Sequence, residues 1–322
     1  MCLAALALDV SRRFPLVVAA NRDEFFNRPA ARLGWWTPDG ATQPILGGRD
    51  LGAGGTWMGL TAQGRFALVT NVRRPGGALV SDGPSRGLIV PAWLEGQQPS
   101  DRFWPRMALS GYAPFNLIAA DFRRGECFWA TNQEASGRRI ERGVTVISNA
   151  ADIDAPWPKV QQMKHRLDDA LHELEDEASV DALAGQLFAM LADRAPADDE
   201  HLPYTGLDRD RERQLSSAFI RTPDGAYGTR CSTLVITERA AKHLTTHVFE
   251  RTFTSGPGLA LLRRASLRDW PPKYQTDDEP PYTATSAASA AHWSPVNDSE
   301  LAEVALEPPK KRRVRSLIRP LR

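Results

Sequence analysis

The second residue of the chain is a cysteine, directly after Met1. An initiator methionine is removed when the next side chain is small, and a processed Cys2 carries a thiol and a free α-amino group on one residue. The amine has an ordinary pKa of about 7.7–8.0 and the thiol one of about 8.5. A neutral amine is then a base close to physiological pH, beside a thiol that is nearly ionised. Nucleophile and base come from a single terminus, and the amine takes the part that a separate histidine plays in a triad. Position alone is met as well by a small buried residue that opens a strand.

A second polar group lies one strand further on. Asn21-Arg22-Asp23-Glu24 follows the strand-like run 16–20. Four polar residues at a strand end need solvent or partners. If runs 2–8 and 16–20 form an antiparallel hairpin, the end of the second returns beside the start of the first. Arg22 and Asp23 are then expected near Cys2, where an arginine favours the thiolate and an aspartate orients the amine. The alternative is a solvated loop. Strand-like runs also end at Asn71 and Asn149, and Arg230 opens a late one. A strand-end asparagine can simply cap a turn, and Arg230 can be a surface residue.

Other chemistry is less well supplied. The three cysteines, Cys2, Cys127 and Cys231, form no CxxC pair and no Cys/His cluster with zinc spacing. Cys231 is either a second thiol near the site or a buried strand residue. His243 and His247 are four apart in a run that reads as strand, where that spacing does not make the helical metal pair. Gly47-Gly48 and Gly54-Gly55 are not a GxGxxG leading into a helix, so they read as tight turns or places of close backbone approach. Trp35 and Trp36 suit a pocket lining or the core.

The elements that must position these residues are mixed. Short β-rich runs appear at 2–8, 16–20, 56–60, 66–70, 115–120, 144–147, 232–237 and 243–249, separated by turn signals. Val160, Met163, Leu167, Leu171 and Leu174 mark one helix face. Ser179 is the expected N-cap of a second helix over 180–191, and a third is expected over 209–220. Strands, a helical pair and strands again predict an α+β layering.

Several ordered blocks resemble the NRDE family, also called the transport and Golgi organisation protein 2 family. They are Met1-Cys2, Ala19-Ala20-Asn21-Arg22-Asp23-Glu24, Asn27-Arg28-Pro29, Leu46-Gly47-Gly48-Arg49-Asp50, Gly54 to Gly59, Ala67 to Arg73, Ile147-Ser148-Asn149-Ala150, Trp157-Pro158-Lys159-Val160 and Tyr227 to Thr233. The resemblance implies an N-terminal nucleophile hydrolase-like αββα sandwich, two antiparallel sheets covered by helices. More distantly it implies the cysteine amidases. Carried over residue by residue, Cys2 matches the nucleophile and Arg22 and Asp23 the Arg/Asp pair, adjacent here where the pattern separates them. Asn71 and Asn149 match the oxyanion and amine-positioning asparagines, and Arg230 the late arginine.

The chain has 322 residues, with 42% hydrophobic and 25% charged, ordinary for a globular protein. No stretch is long and apolar enough to span a bilayer, and the apolar start is too short for a signal sequence and lacks a basic flank, so a cytoplasmic protein is expected. The net charge of +1 hides an asymmetry. Residues 310–322 hold seven Lys/Arg and no acid, leaving −6 on the rest. Residues 1–255 are expected to form the folded domain. The Pro/Ala/Ser-rich stretch 256–322 is expected to be a mostly disordered tail whose basic end binds polyanions weakly. The functional expectation is a hydrolase of a non-peptide carbon–nitrogen amide bond, acting after Met1 removal without cofactor or metal. The alternative is a non-catalytic carrier of an apolar carboxylate ligand such as haem or acyl-coenzyme A.

Overall fold

A computed structural model describes residues 2–76, 83–174, 178–240, 243–256 and 260–272. Thirteen strands and five α-helices follow in chain order. The strands are β1 (Cys2–Leu8), β2 (Leu16–Phe25), β3 (Ala30–Trp36), β4 (Ile45–Asp50), β5 (Met58–Leu60), β6 (Arg65–Asn71), β7 (Phe115–Asp121), β8 (Glu126–Thr131), β9 (Arg138–Arg139), β10 (Gly143–Ile147), β11 (Tyr227–Ala240), β12 (His243–Thr252) and β13 (Leu261–Arg268). The helices are α1 (Ile89–Glu95), α2 (Ser100–Ala108), α3 (Pro158–His172), α4 (Val180–Leu191) and α5 (Arg209–Gln214).

The strands form two antiparallel sheets, ordered β10-β1-β2-β11-β12-β13 and β3-β4-β5-β6-β7-β8-β9. Three apolar layers hold them. Leu3, Ala5, Ala7, Val17 and Ala19 of the first sheet pack under Val160, Met163 and Leu167 of α3 and Leu183 and Leu187 of α4. Ala4, Leu6, Leu16 and Val18 point the other way, against Leu46, Leu60, Phe66 and Leu68 of the second sheet. The outer face of that sheet is covered by Ile89, Val90, Trp93 and Leu94 of α1 and Phe103 and Trp104 of α2. The layering is therefore αββα, as the resemblance implies. It explains why β1 is apolar at nearly every position: a strand covered on both faces shows no polar alternation.

Local chemistry fixes several ends. The Ser179 hydroxyl accepts from the Ala182 amide at 3.1 Å and caps α4. Of the two expectations for Gly47-Gly48, close backbone approach holds and the tight turn does not, since the pair is the middle of β4. A Cβ on Gly47 would lie 2.5 Å from the Met58 carbonyl oxygen, and one on Gly48 would lie 2.3 Å from the Trp57 ring. Two other expectations need correction. The helix expected over 209–220 stops at Gln214, because the main-chain carbonyls beyond it are taken by side chains from elsewhere. Leu215 O accepts from Lys159 and Ala218 O from Asn21. Finally, the composition change near residue 255 is not the end of the fold. β13 pairs with β12 as the sixth strand of the first sheet, and Trp270 is fully buried between the sheets. The rest of the expected tail, with its basic end, lies outside the described residues.

Candidate active site

The alternation that builds the core also aims the candidate residues. Cys2 pairs with Arg22 across β1 and β2. By strand parity both side chains lie on the face of Ala4, Leu6 and Val18, between the sheets. Asn21 and Asp23 lie on the opposite face, under the helices. The hairpin thus brings Cys2, Arg22 and Asp23 to one sheet end on two sides of a single backbone layer.

Arg22 is 5% exposed and held from the second sheet. Its Nη2 lies 3.2 Å from Asp50 Oδ2 and 3.7 Å from Glu24. Its guanidinium stacks 4.3 Å from the Trp57 ring centroid. Nη1 is buried with no hydrogen-bond partner among the described residues. Asp50 also takes Arg28 Nε at 2.6 Å, and its other oxygen accepts from the Gly52 and Ala53 amides. Burial works against the Asp50 carboxylate, yet the hydrogen bond and charge of Arg28, with Arg22, hold its pKa below the usual carboxylate range.

Asp23 is 2% exposed. Its Oδ1 accepts from Thr229 Oγ1 at 2.7 Å, and its backbone carbonyl accepts from the Tyr227 hydroxyl at 3.0 Å. Burial pushes its carboxyl up, while the amino-terminal charge, then Lys159, the Thr229 bond and Arg22 hold it down. Burial also pushes the Cys2 thiol up, and the Asp23 charge adds to that. The amino-terminal charge, a hydrogen bond with the Asp23 backbone and the charge of Arg22 act the other way without winning. The thiol of the unprocessed chain is therefore held protonated.

Asn149 is completely buried. Its Nδ2 donates to the Asn71 carbonyl at 2.7 Å, its own carbonyl accepts from the Arg73 amide at 2.7 Å, and its Oδ1 is buried without a partner among the described residues. Next to it, the Ser148 hydroxyl donates to the Cys2 carbonyl at 3.0 Å, and the Ser148 carbonyl accepts from Thr70 Oγ1 at 2.7 Å. Asn116 joins the Thr70 hydroxyl to the Ser148 and Ala150 carbonyls. These bonds fasten the ends of β6 and β7 to the end of β10, so Asn71, Asn149 and Cys2 are tied together across the two sheets. Asn71 joins this network through its main chain. Its half-buried side chain has no hydrogen bond among the described residues.

Arg230 occupies a bulge. Thr229 pairs with Asp23 and Cys231 with Arg22, so Arg230 is the extra residue between them. Its Nη1 donates to the Phe25 and Arg28 carbonyls at 2.6 and 2.9 Å, which pins the turn after β2. A different arginine interacts electrostatically with Cys2. Arg86, half-buried in the single turn Arg86–Leu88, donates to the Pro114 carbonyl at 3.0 Å. Burial lowers its pKa, and Cys2 is the strongest of the groups acting against that.

Asp50, Trp57 and Lys159 stand in the blocks quoted from the sequence, yet nothing in spacing gave them roles. A charged lysine inside the apolar stretch 157–160 is the one signal that pointed to Lys159. Arg86 and Asn116 carried none. Among the described residues, no cluster of His, Cys, Asp and Glu is arranged to hold a metal ion. No helix there is long and apolar enough to cross a membrane.

The sequence model of a family described as Transport and Golgi organisation 2 matches residues 1–255. The Transport and Golgi organization protein 2 homolog of Bos taurus is 33% identical over 263 residues, covering 76% of this chain and 91% of that protein. The Mus musculus homolog is 29% identical over 259 residues with the same coverage. The Transport and Golgi organization protein 2 of Drosophila melanogaster is 24% identical over 293 residues, covering 79% and 93%. Among solved structures, the Caenorhabditis elegans N-acylethanolamine-hydrolyzing acid amidase ortholog is similar at 12% identity and a TM-score of 0.40, covering 73% of this chain and 92% of that one.

Proposed function

The chain belongs to the Transport and Golgi organisation 2 family, and from that footing we propose that it is an N-terminal-cysteine hydrolase of a non-peptide carbon–nitrogen amide bond. The observation that carries the reading is the joint placement of Cys2 beside Arg22, whose buried Nη1 has no partner among the described residues, with Asp23 directly behind. Arg22 is already neutralised by Asp50 and Glu24, so its idle N–H is free for a sulfur or a substrate oxygen.

Removal of Met1 turns the Cys2 nitrogen into an amine. Burial keeps the thiol protonated, so a base is needed, and the amine is the base at hand. It takes the thiol proton as the sulfur bonds to the amide carbon. The carbonyl electrons move onto oxygen, facing the free Arg22 N–H and the Asn71 side chain. The oxyanion collapses, the C–N bond breaks, and the ammonium returns its proton to the leaving nitrogen. Water then attacks the thioester, the amine taking one water proton and passing it to the departing sulfur. Asp23 holds the amine, and the idle Asn149 Oδ1 accepts from the amide N–H of the substrate. Arg230 acts on the main chain of 25–28. A reduced nucleophilic thiol suits a cytoplasmic setting.

The test has two parts. Intact mass of the native protein should show Met1 absent. An amide or thioester probe should leave an acyl group on the amino-terminal peptide, which Cys2→Ala abolishes. Retained Met1 or unchanged turnover in Cys2→Ala ends the proposal.

One observation favours a second reading, a carrier without turnover. Phe25, Leu51 and Leu88 are exposed, at 50, 54 and 39%, on segments that also carry Asp23, Asp50 and Arg86. The last two segments are joined by the Thr56 amide on the Gly87 carbonyl. Exposed apolar side chains on the segments that carry Arg86, which has no paired carboxylate among the described residues, suit an apolar carboxylate such as haem or an acyl-coenzyme A. Binding of such a ligand that survives Cys2→Ala in a protein without turnover selects this reading.

A further inference from the structure

The turn of the β1–β2 hairpin opens onto an arginine-lined cleft that the proposed chemistry leaves unused. β1 runs seven residues from Cys2 to Leu8, so this turn lies about 20 Å from the candidate active site. Three neighbouring pieces of chain meet there. β10 opens at Gly143, opposite Leu8, which brings Arg142 beside Asp9. β11 continues past Thr237, opposite Leu16, and the Arg239 amide donates to the Arg13 carbonyl at 2.8 Å. The turn between them is fixed by its own bonds. The Asp9 amide donates to the Pro15 carbonyl at 2.8 Å, and the Ser11 hydroxyl accepts from the Phe14 amide at 3.3 Å. The cleft has a volume of about 470 Å³. Its charged lining is Arg12, Arg142, Arg239 and Asp9, and its apolar lining is Val10 and Pro15.

The charges of the cleft do not cancel. Arg12, Arg142 and Arg239 have no carboxylate within ion-pair distance among the described residues, and Asp9 has no cation within that distance there. Glu141, next to Arg142 in the chain, lies outside the lining. Glu238 is already taken, since its Oε1 accepts from Arg13 Nε and Nη2 at 3.2 and 2.8 Å. Arg239 Nε donates to the Arg12 carbonyl at 3.2 Å, and the side chains of Arg12 and Arg142 make no hydrogen bond among the described residues. Three arginines against one aspartate leave a surplus of two positive charges. Gathered guanidinium groups repel one another, and an anion in the cleft offsets that.

The composition of the lining selects the anion. A guanidinium is a fork that matches two oxygens of a phosphate. A phosphate monoester carries about −1.5 to −2 charge at pH 7, close to the surplus, where a carboxylate carries half of it. The volume lies in the range of small-molecule sites, larger than a bare phosphate needs, and Asp9 is an acceptor for hydroxyl groups. No aromatic side chain lines the cleft, so nothing there stacks a nucleobase.

We propose that this cleft is a second ligand site, which binds the phosphate monoester of a polyhydroxylated compound: Arg142 and Arg239 hold the phosphate from the two flanking strands, Arg12 closes on it from the turn, and Asp9 accepts from the hydroxyl groups. The site does not depend on the chemistry of Cys2.

The experiment titrates the full-length protein calorimetrically with glucose 6-phosphate and with inorganic phosphate. It also floats the protein with phosphatidylcholine vesicles that hold phosphatidylinositol 4-phosphate, so that the same ester is offered dissolved and on a surface. The variants are Arg12→Gln, Arg142→Gln and Asp9→Asn, with Arg102→Gln, an exposed arginine on α2, as the control for lost charge. Arg142→Gln and Arg12→Gln should each weaken binding about tenfold, the scale of one charge-assisted hydrogen bond, at an unchanged melting temperature. Arg102→Gln should leave it unchanged. Glucose 6-phosphate should bind more tightly than inorganic phosphate, and Asp9→Asn should narrow that preference. Asparagine tolerates the left-handed backbone of Asp9, at a φ of 52°, so this variant should fold. Binding of the dissolved ester alone identifies a soluble ligand, and binding of the vesicles alone a lipid headgroup; either supports the site. Binding of neither, equal loss in Arg102→Gln and Arg142→Gln, or equal affinity for the ester and inorganic phosphate overturns the proposal.

Discussion

Cys2 stands opposite Arg22 in the β1–β2 ladder, and Arg22 stands opposite Cys231 in the β2–β11 ladder. The arginine is therefore interposed between two thiols on one face of the sheet. Two strand spacings, roughly 10 Å, separate the backbones of the cysteines, beyond the about 7 Å that a disulfide can bridge. Trp57 and Asp50 hold the guanidinium in that gap. Cys2 is thus kept apart from Cys231, its nearest thiol in the sheet, by the same residue whose buried Nη1 has no partner among the described residues.

The three cysteines should differ sharply in reactivity. Burial pushes Cys127 up to about 12 and Cys231 well above the usual thiol range, and both are buried. In the native, processed protein, iodoacetamide followed by peptide mapping should modify Cys2 faster than either, since Cys2 is half-buried where they are buried and carries its own amine as base. Comparable labelling of Cys231 would show that the sheet end is open rather than enclosed.

Arg86 should discriminate between reagents of different charge. Cys2 acts electrostatically on it, and it has no carboxylate within ion-pair distance among the described residues. Arg86→Gln should slow alkylation of Cys2 by the anion iodoacetate several-fold more than alkylation by neutral iodoacetamide. The difference should shrink as salt screens it. With one main-chain hydrogen bond at stake, the melting temperature should change little. Equal effects on the two reagents would remove Arg86 from the site.

Much of this arrangement was legible because it follows from strand geometry. A hairpin of 2–8 and 16–20 forces Arg22 and Asp23 back to Cys2, and parity then decides which face each side chain takes. The helix faces of α3 and α4 were legible for the same reason, a period of 3.6 residues. The glycines of β4 were legible only in part. Gly47-Gly48 has a composition that suits a turn or a close approach of backbone, and only the neighbouring strand and Trp57 decide for the second. Lys159, Arg86 and Asn116 were not legible because their partners come from elements far away in sequence. β13 was hidden by its own composition, since Arg263, Arg264 and Arg268 make it polar, and its place as an exposed edge strand is set by pairing with β12.

Gly48 gives that point a test. A Cβ there would sit 2.3 Å from the Trp57 ring and 3.2 Å from the Ala31 carbonyl oxygen. The ring must swing away, and it is the ring on which Arg22 stacks. Gly48→Ala should cost about 1–3 kcal/mol of stability, the usual range for overpacking, and should also lower the Cys2 acylation rate. A variant with full stability and full labelling would mean that Trp57 has room to move and does not hold Arg22.

Lys159 makes a prediction about pH that needs no substrate. Its folded pKa of about 8 lies below the 10.5 of an ordinary lysine. Between those values the unfolded chain holds the proton and the folded chain does not, so stability from this group rises with pH across the window. It is fully present above the unfolded pKa and is lost as pH falls through the folded one. Urea unfolding of the native protein and of Lys159→Gln at pH 7, 8, 9 and 10 isolates the effect, because other lysines and tyrosines titrate in both. The stability of the native protein relative to the variant should grow above pH 8, by at most about 1.4 kcal/mol per pH unit. A difference that stays flat from pH 7 to 10 would mean that Lys159 keeps an ordinary pKa, and hence that its ammonium is not buried beneath α5.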